Sequence, residues 1–151
     1  MGSYRHQVDS KGRVAVPAQF RRGLPPGSVV AYGPEGRLVI RDPEEWAALE
    51  REHRLTAETP QELRRFLRHL FASARPVELD AQGRVLLDAE HRRFAAIEDR
   101  AVFVGLGTCV EVVGEKVWDA EHGDLTPESF TALNDTVFAR SGPPAGSSTP
   151  A

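Results

Sequence analysis

Residues 8–14 read V-D-S-K-G-R-V, and residues 79–85 read L-D-A-Q-G-R-V. The same short hairpin pattern therefore occurs twice in a chain of 151 residues. An aspartate at a turn can accept hydrogen bonds from nearby backbone N–H groups, and a glycine can adopt the positive φ that a tight loop requires. We therefore predict two equivalent turns, each shaped by one such pair: Asp9 with Gly12, and Asp80 with Gly83.

The duplication continues beyond these turns. At an offset of 71 residues, Asp9, Gly12, Arg13, Val14 and Arg22 match Asp80, Gly83, Arg84, Val85 and Arg93. After one inserted residue, Val30, Gly33, Val39 and Trp46 correspond to Val102, Gly105, Glu111 and Trp118. A duplicated unit that cannot cover its own apolar face buries it against its twin. We therefore expect a pseudo-twofold body in which strands of both halves share one sheet or barrel.

Short segments rich in β-branched residues and bounded by Gly, Pro or Asp predict the strands. They are residues 14–16, 28–32, 37–40, 84–87, 101–104 and 109–113. A capping residue followed by proline predicts three helix starts, at Asp42-Pro43, Thr59-Pro60 and Thr126-Pro127. The pattern indicates an α+β fold with a mainly β core and peripheral helices.

Two of the predicted helices carry an apolar stripe at the spacing of one helix face. The stripe after Pro60 is Leu63, Phe66, Leu67, Leu70 and Phe71, and the stripe after Pro127 is Phe130, Leu133, Val137 and Phe138. Each stripe must face a core or a partner. The other face of the first helix is basic, with Arg64, Arg65, Arg68 and His69, and such faces are more often solvated than bound to nucleic acid.

The composition is that of a soluble globular protein, with 40% hydrophobic and 27% charged residues. No apolar run approaches a membrane span and the first residues lack a secretory signal, so we expect a cytoplasmic protein without a membrane partner. Cys109 has no pairing partner and is expected to be a small core residue. The net charge is −3, yet residues 1–23 carry five cations and one carboxylate, whereas residues 119–151 carry five carboxylates and one cation. This asymmetry indicates either one face for an anionic partner or an ordinary scatter of surface charge.

The polar residues between each aspartate and the end of its turn have no evident turn-forming role. They are Lys11 and Arg13 in the first turn, and Gln82 and Arg84 in the second. An arginine on a two-stranded β-ribbon presents donors suited to phosphate oxygens or to guanine, and such a ribbon is narrow enough to enter the major groove. The alternative is that each arginine forms a salt bridge with its own aspartate. Arg5, Arg21 and Arg22 are further candidates for a DNA contact.

Three stretches of the chain resemble the MraZ family of bacterial regulators. They are G-S-Y-R-H-Q-V-D-S-K-G-R-V-A-V-P-A-Q-F-R, R-R-F-L-R-H-L-F-A-S-A and V-E-L-D-A-Q-G-R-V-L-L. The resemblance runs from about residue 3 to about residue 138. The D-x-x-x-R motif of the family falls on Asp9 with Arg13 and on Asp80 with Arg84. Where the family usually has proline, the first half has Pro17 but the second has Asp88.

The resemblance implies a tandem AbrB-like swapped-hairpin fold, also described as a double-split β-barrel, with pseudo-twofold symmetry. It implies a sequence-specific, DNA-binding transcriptional regulator of the division and cell-wall gene cluster. It further implies a ring-like homo-oligomer on repeated promoter boxes of double-stranded DNA, in the cytoplasm and on the nucleoid. The number of subunits, the exact DNA sequence, repression against activation, and a DNA contact by the second hairpin stay open.

Other chemistries have little support in the sequence. The stretch G-L-G-T-C-V at residues 105–110 lacks the third glycine of a dinucleotide loop, and the five histidines show no metal-ligand spacing. We therefore expect no enzymatic activity, no metal, no cofactor and no small-molecule substrate. The strongest alternative is an antitoxin-like protein-interaction module of the swapped-hairpin type.

The sequence divides into five predicted segments. They are a first SpoVT/AbrB-like unit (5–47), a linking helical segment (48–75), a second SpoVT/AbrB-like unit (76–119), a C-terminal helix (120–139) and a mobile tail (140–151).

Overall fold

A computed structural model of the chain describes residues 1–140. Beyond Arg140, the tail predicted from the sequence lies outside the described residues. The chain forms two compact units, residues 1–118 and a second unit that begins at Asp119. Of the helices in the described part, none combines the length and apolar composition that crossing a membrane requires.

Eight strands and six α-helices follow one another along the described residues. The strands are β1 (Gly2–Gln7), β2 (Arg13–Ala15), β3 (Val29–Tyr32), β4 (Leu38–Arg41), β5 (Arg75–Pro76), β6 (Arg84–Leu86), β7 (Arg100–Gly105) and β8 (Cys109–Gly114). The helices are α1 (Ala18–Arg21), α2 (Pro43–Glu52), α3 (Gln61–Ser73), α4 (Ala89–Phe94), α5 (Glu115–His122) and α6 (Pro127–Arg140). The α+β class is confirmed, and β1 and β5 are strands that the sequence patterns did not predict.

The strands form an open six-stranded sheet and a separate two-stranded ribbon. The sheet order is β1-β7-β8-β4-β3-β5, and the ribbon pairs β2 with β6. Exchanging each strand for its duplicate in the other half reverses this order and leaves the neighbours unchanged. The N-terminal strand β1 pairs with β7 of the second half, and β5 pairs with β3 of the first. The two halves are therefore exchanged into one pseudo-twofold body whose sheet stays open rather than closing into a single barrel.

Two residue pairs lie on the pseudo-twofold axis. Val39 pairs with Glu111 where β4 meets β8, and Val14 pairs with Val85 in the ribbon. Each pair joins a residue to its own duplicate, as an axis requires. The offsets of 72 and 71 residues predicted for these positions are therefore confirmed.

The correspondence predicted for the first strand of each second hairpin is wrong by one residue. In the ladder, Ile40 pairs with Val30 while Val112 pairs with Phe103, so Val30 is equivalent to Phe103 rather than to Val102. By the same register Tyr32, not Gly33, is equivalent to Gly105. Two residues are inserted before β7 and one is lost from the hairpin loop that follows. A slip of one residue moves a side chain to the opposite face of a sheet, so burial fixes the register where sequence matching did not.

Two apolar clusters hold the first unit together. The larger is built by residues of both halves, including Val14, Val85, Ile40 and Phe103, which are at most 1% exposed. The smaller lies under α3, where Leu67 and Leu70 pack with Ala31. Burial of a large side chain stabilises a fold by about 1.5–3 kcal/mol, so the shared cluster makes each half depend on the other.

The predicted helix caps are confirmed at two positions and wrong at the third. Asp42 accepts a hydrogen bond from the backbone of Glu45 at 2.8 Å, and Thr126 accepts one from Ser129 at 3.0 Å. Thr59 instead accepts a hydrogen bond from the backbone of Thr56, and α3 begins at Gln61. Proline therefore occupies the capping position itself, because the Thr59 hydroxyl is used in the turn that precedes the helix.

Asp88 takes the structural place of Pro17. Pro17 precedes α1 without a side-chain cap, whereas the Asp88 carboxylate accepts a hydrogen bond from the backbone of His91 at 2.8 Å and caps the longer helix α4. Asp88 also lies 3.2 Å from the Arg75 guanidinium. The second hairpin is therefore followed by a hydrogen-bonded cap where the first is followed by a rigid ring.

We expect Asp88→Ala to lower the free energy of unfolding by about 1 kcal/mol, because the first turn of α4 loses its cap. Urea denaturation followed by circular dichroism measures the change. Asp88→Asn keeps an oxygen acceptor and is expected to retain most of the stability. Equal stability of the alanine variant and the unchanged protein would show that this cap contributes nothing.

Candidate nucleic-acid interface

The two duplicated turns have the same hydrogen bonds. Asp9 Oδ1 accepts from the backbone N–H groups of Lys11 and Arg13, both at 2.9 Å. Asp80 Oδ1 accepts in the same way from Gln82 and Arg84, again at 2.9 Å. Backbone bridges close each stretch, from Val8 to Val14 and from Leu79 to Val85. The scaffold role predicted for both aspartates is confirmed.

The glycine of each turn is required by backbone conformation and by an arginine of the other half. Gly12 has φ +84° and Gly83 has φ +75°, in the region that favours glycine. A Cβ on Gly83 would collide with the Arg21 guanidinium, and one on Gly12 would lie 3.0 Å from the guanidinium carbon of Arg92. Each turn is therefore covered by an arginine that follows the other turn in sequence.

Backbone hydrogen bonds hold these exchanged contacts in place. The N–H of Val16 donates to Gly83 at 3.0 Å, and the N–H of Leu87 donates to Gly12 at 3.0 Å. The Nε atoms of Arg21 and Arg92 donate to the carbonyl oxygens of Val16 and Leu87, at 2.8 and 3.1 Å. These two arginines are consequently fixed against the turns.

Arg13 and Arg84 each form the local salt bridge that the alternative interpretation of the turns predicted. Arg13 Nε lies 2.8 Å from Asp9 Oδ2, and Arg84 Nε lies 2.9 Å from Asp80 Oδ2. The bonds form because each aspartate, fixed by the turn, directs its second oxygen toward an arginine four residues later. The arginine side chains are nevertheless 35% and 30% exposed, so the pairing orients them at the surface rather than burying them.

The ribbon brings the two turns together. Val14 and Val85 point into the core, so the alternation of side chains places Arg13 and Arg84 on the outer face. Arg84 Nη1 lies 3.6 Å from Asp9 Oδ2, which joins the second turn to the first. With Lys11, Arg21 and Arg92, this ribbon surface holds five cations and the two turn carboxylates. It is a positively charged surface suited to a polyanion.

The turns shift the titration of their aspartates. The backbone N–H of Arg13 is the largest influence on Asp9 and lowers its pKa below the ordinary value of 3.8, and the Arg84 N–H does the same for Asp80. A carboxylate with a lowered folded-state pKa stabilises the fold above its ordinary value, and that contribution is lost as pH falls through the lowered pKa. Both turns are therefore expected to hold their geometry throughout the neutral range.

We expect the pKa of Asp9 in Arg13→Ala to rise only part of the way to its ordinary value. The variant removes the guanidinium but keeps the backbone N–H of residue 13, which is the larger influence. Carboxyl carbon shifts followed by NMR between pH 2 and pH 6 measure the midpoint, with Asp80 as the internal control. A complete return to 3.8 would assign the shift to the side chain alone.

The other predicted contact residues are distributed differently. Lys11 and Gln82 are exposed at the turn tips, and Arg21 joins the ribbon surface as described. Arg22 is exposed beside it in sequence. Arg5 forms an ion pair with Glu115 of α5 at 2.9 Å, and Arg100 lies 3.4 Å from the same carboxylate. A DNA contact by any of these residues stays a prediction.

Two residues of the ribbon surface were missed from the sequence. Arg92 is the duplicate of Arg21 at the offset of 71, so the repeat itself held the signal. Leu86 is 62% exposed on the outer face of the ribbon, beside the arginines. An exposed apolar side chain within a basic surface can contact the methyl group of thymine.

The alternative chemistries gain no geometry from the structure. Within residues 1–140, no group of three or more His, Cys, Asp or Glu side chains is placed to hold a metal ion. Cys109 is partly buried at the start of β8, and desolvation raises the pKa of its thiol above the ordinary 9.0. A raised pKa disfavours the reactive thiolate.

Two hairpin units that exchange strands and cover each other's turns define a tandem swapped-hairpin protein. The family described as "MraZ protein, putative antitoxin-like" matches the chain twice, over residues 1–69 and 70–141. The two matches coincide with the two halves of the pseudo-twofold body. The chain belongs to the MraZ family, and the resemblance drawn from its motifs is confirmed.

Curated relatives agree with this assignment. A protein of Desulforamulus reducens named "Transcriptional regulator MraZ" is 38% identical over 137 residues, which cover 91% of this chain and 96% of the relative. A protein of the same name from Desulfitobacterium hafniense is 39% identical, with 91% and 95% covered. Another from Acetivibrio thermocellus is 38% identical, with 82% and 86% covered.

Proposed function

We propose that this chain is a transcriptional regulator that binds double-stranded DNA through the ribbon surface. The observation that carries the proposal is the convergence of both turns on one face, shown by the 3.6 Å approach of Arg84 to Asp9. Relatives named as transcriptional regulators support the same role. The proposal includes no enzymatic step.

The geometry suits phosphate contact with limited freedom. Arg13 and Arg84 are held by their aspartates, and Arg21 and Arg92 are held by carbonyl oxygens, so little side-chain entropy is lost on binding. Lys11 and Gln82 at the turn tips are free to reach base edges or phosphates. Both hairpins are expected to contact DNA, because the second has the same turn geometry as the first despite Asp88.

One subunit offers few phosphate contacts, and non-specific affinity at physiological salt is only about 10⁻⁴–10⁻⁶ M. We propose that a ring-like homo-oligomer overcomes this weakness by presenting several ribbons to repeated promoter boxes. Effective concentration then raises the affinity, provided that the boxes match the spacing of the ribbons. The proposed target is the division and cell-wall gene cluster, in the cytoplasm and on the nucleoid.

We expect affinity to rise at least about tenfold with each added box, because linked contacts multiply. Titration of the purified protein on DNA with one, two and three boxes, at one fixed salt concentration, measures this. DNA of equal length with shuffled boxes is the control. Equal affinity for all three DNAs would remove the avidity argument while leaving single-site binding intact.

The antitoxin-like alternative keeps one specific observation in its favour. The apolar residues of α6 are exposed, as a segment that wraps a partner protein would require. Under this alternative the chain would bind a second protein through α6, and DNA binding would be unaffected by the number of boxes. The titration above therefore separates the two functions.

A further inference from the structure

Helices α3 and α6 are duplicates with different environments. Their apolar stripes match at a single offset of 67 residues: Leu63, Phe66, Leu70 and Phe71 correspond to Phe130, Leu133, Val137 and Phe138. The α3 stripe is used within the chain, since Leu67 and Leu70 are 1% and 6% exposed. Residues 127–139 of α6 are all exposed, and its four stripe residues are between 55% and 66% exposed.

The apolar face of α6 needs a cover. The helix has 14 residues, and isolated helices shorter than about 12–15 residues are marginal in water. Four large apolar side chains on one face also exceed the single scattered residues that a monomer surface normally shows. Val102 and Val113 of the second half are already buried, at 0% and 1% exposure, so the sheet there needs no further cover.

A groove in the first unit offers a complementary surface. It has a volume of about 340 Å³ and lies between α3, the end of α2 and the rings of Tyr32 and Phe94. These two rings stack at 3.8 Å and form one wall. Phe66 of α3 also lines the groove and is 58% exposed. The groove is apolar and large enough to receive side chains from a helix.

The charges around the two surfaces are also complementary. Arg41 lines the groove, and its Nη1 is buried without a hydrogen-bond partner among residues 1–140. A buried cationic donor without an acceptor is costly, which indicates that an acceptor arrives from outside. On α6, Glu128 and Asp135 lie two turns apart on one side of the helix, and Asp135 neighbours Phe138 of the stripe. A carboxylate therefore lies directly beside the apolar face.

We propose that α6 of one copy docks into the groove of a second copy, with its stripe on the aromatic wall and an acidic side chain toward Arg41. Such a contact joins two different surfaces, so every copy offers one helix and one groove. Contacts of this kind build a closed ring if the rotation closes and a filament if it does not. The inference rests on the proposed function only in supplying its oligomer, and it does not depend on DNA.

Two charged substitutions at exposed positions test the contact. Phe66→Asp blocks the groove and Leu133→Asp blocks the helix, and circular dichroism verifies that both variants fold. Each variant alone is expected to self-associate at least about 30-fold more weakly than the unchanged protein, as for the loss of an interface hot spot. Sedimentation velocity over a range of concentrations measures the mass.

An equal mixture of the two variants gives the decisive result. The intact helix of Phe66→Asp meets the intact groove of Leu133→Asp, so the mixture is expected to form a dimer and nothing larger. Leu106→Asp is the matched control, since Leu106 is 52% exposed in the β7–β8 loop, and its assembly is expected to be unchanged. A monomeric unchanged protein, a monomeric mixture, or a control that dissociates equally would each overturn the contact.

The same samples separate this inference from the proposed function. Binding of one-box DNA is expected to be equal for both variants and the unchanged protein, since neither substitution touches the ribbon surface. A mixture that dimerises but binds no DNA would refute the proposed function and leave the contact standing. Normal DNA binding with a monomeric mixture would do the reverse.

Discussion

The double variant Arg13→Ala/Arg84→Ala is expected to bind promoter DNA about 100-fold more weakly, since one good contact contributes about 1–3 kcal/mol. Each substitution removes a cation that its aspartate holds at the surface, and it leaves that carboxylate facing the phosphates. The effect is repeated in every subunit of the oligomer. A fluorescence anisotropy titration on three-box DNA measures the decrease. The slope of log affinity against log salt should also become shallower, by about 0.9 for each phosphate that the variant no longer neutralises.

The chain offers a closely matched control for this variant. Arg100→Ala/Lys116→Ala also removes two cations that are paired with carboxylates, Glu115 at 3.4 Å and Glu98 at 2.8 Å. Its net charge is the same as that of the test variant, so any general electrostatic effect is shared. We expect its DNA affinity to stay within about threefold of the unchanged protein. If both double variants lost affinity equally, the ribbon surface would not be the binding site.

Phe103→Ala is expected to lower the free energy of unfolding by about 3–5 kcal/mol, the usual cost of removing a buried aromatic ring. Phe103 is 0% exposed, pairs with Tyr4 on one side and Val112 on the other, and belongs to the cluster shared by both halves. For a chain of this length each kcal/mol corresponds to about 2–4 °C, so the melting temperature should fall by about 10 °C. Calorimetry or urea denaturation measures it.

The control for this change lies in the same hairpin. Leu106→Ala removes an apolar side chain that is 52% exposed, and we expect a change within about 0.5 kcal/mol. A decrease below about 1 kcal/mol for Phe103→Ala would mean that neighbouring side chains close the cavity. The shared cluster would then contribute less to joining the two halves than its burial indicates.

Both predictions depend on features that differ in how far sequence reasoning could reach them. The Asp9 and Asp80 turns, the positive φ of Gly12 and Gly83, and the caps at Asp42 and Thr126 were predictable. In each case the donor and the acceptor lie within four residues along the chain. The chain therefore has few alternative partners for these groups, and local chemistry decides the outcome. The failed cap at Thr59 shows the limit, because a second local turn competes for the same hydroxyl.

The register of the duplicated hairpins was less accessible. Matching letters placed a single inserted residue between the halves, whereas the structure has two shifts that partly cancel. Letters alone do not say which face of a strand is buried. The pairing of Val30 with Ile40 and of Phe103 with Val112 decides it, because both pairs must face the same shared cluster.

The duplication, the two turns and most strands and helix starts follow from the sequence by itself, because they rest on hydrogen bonds and apolar spacing between near neighbours. The exchange of β1 and β5, the position of Arg92 over Gly12, and the covered stripe of α3 beside the exposed stripe of α6 were decided by the tertiary structure. These contacts join residues about 70 positions apart, and each is one of several that the same local patterns would allow. Burial of the shared apolar cluster selects among them, and only the folded chain contains that cluster.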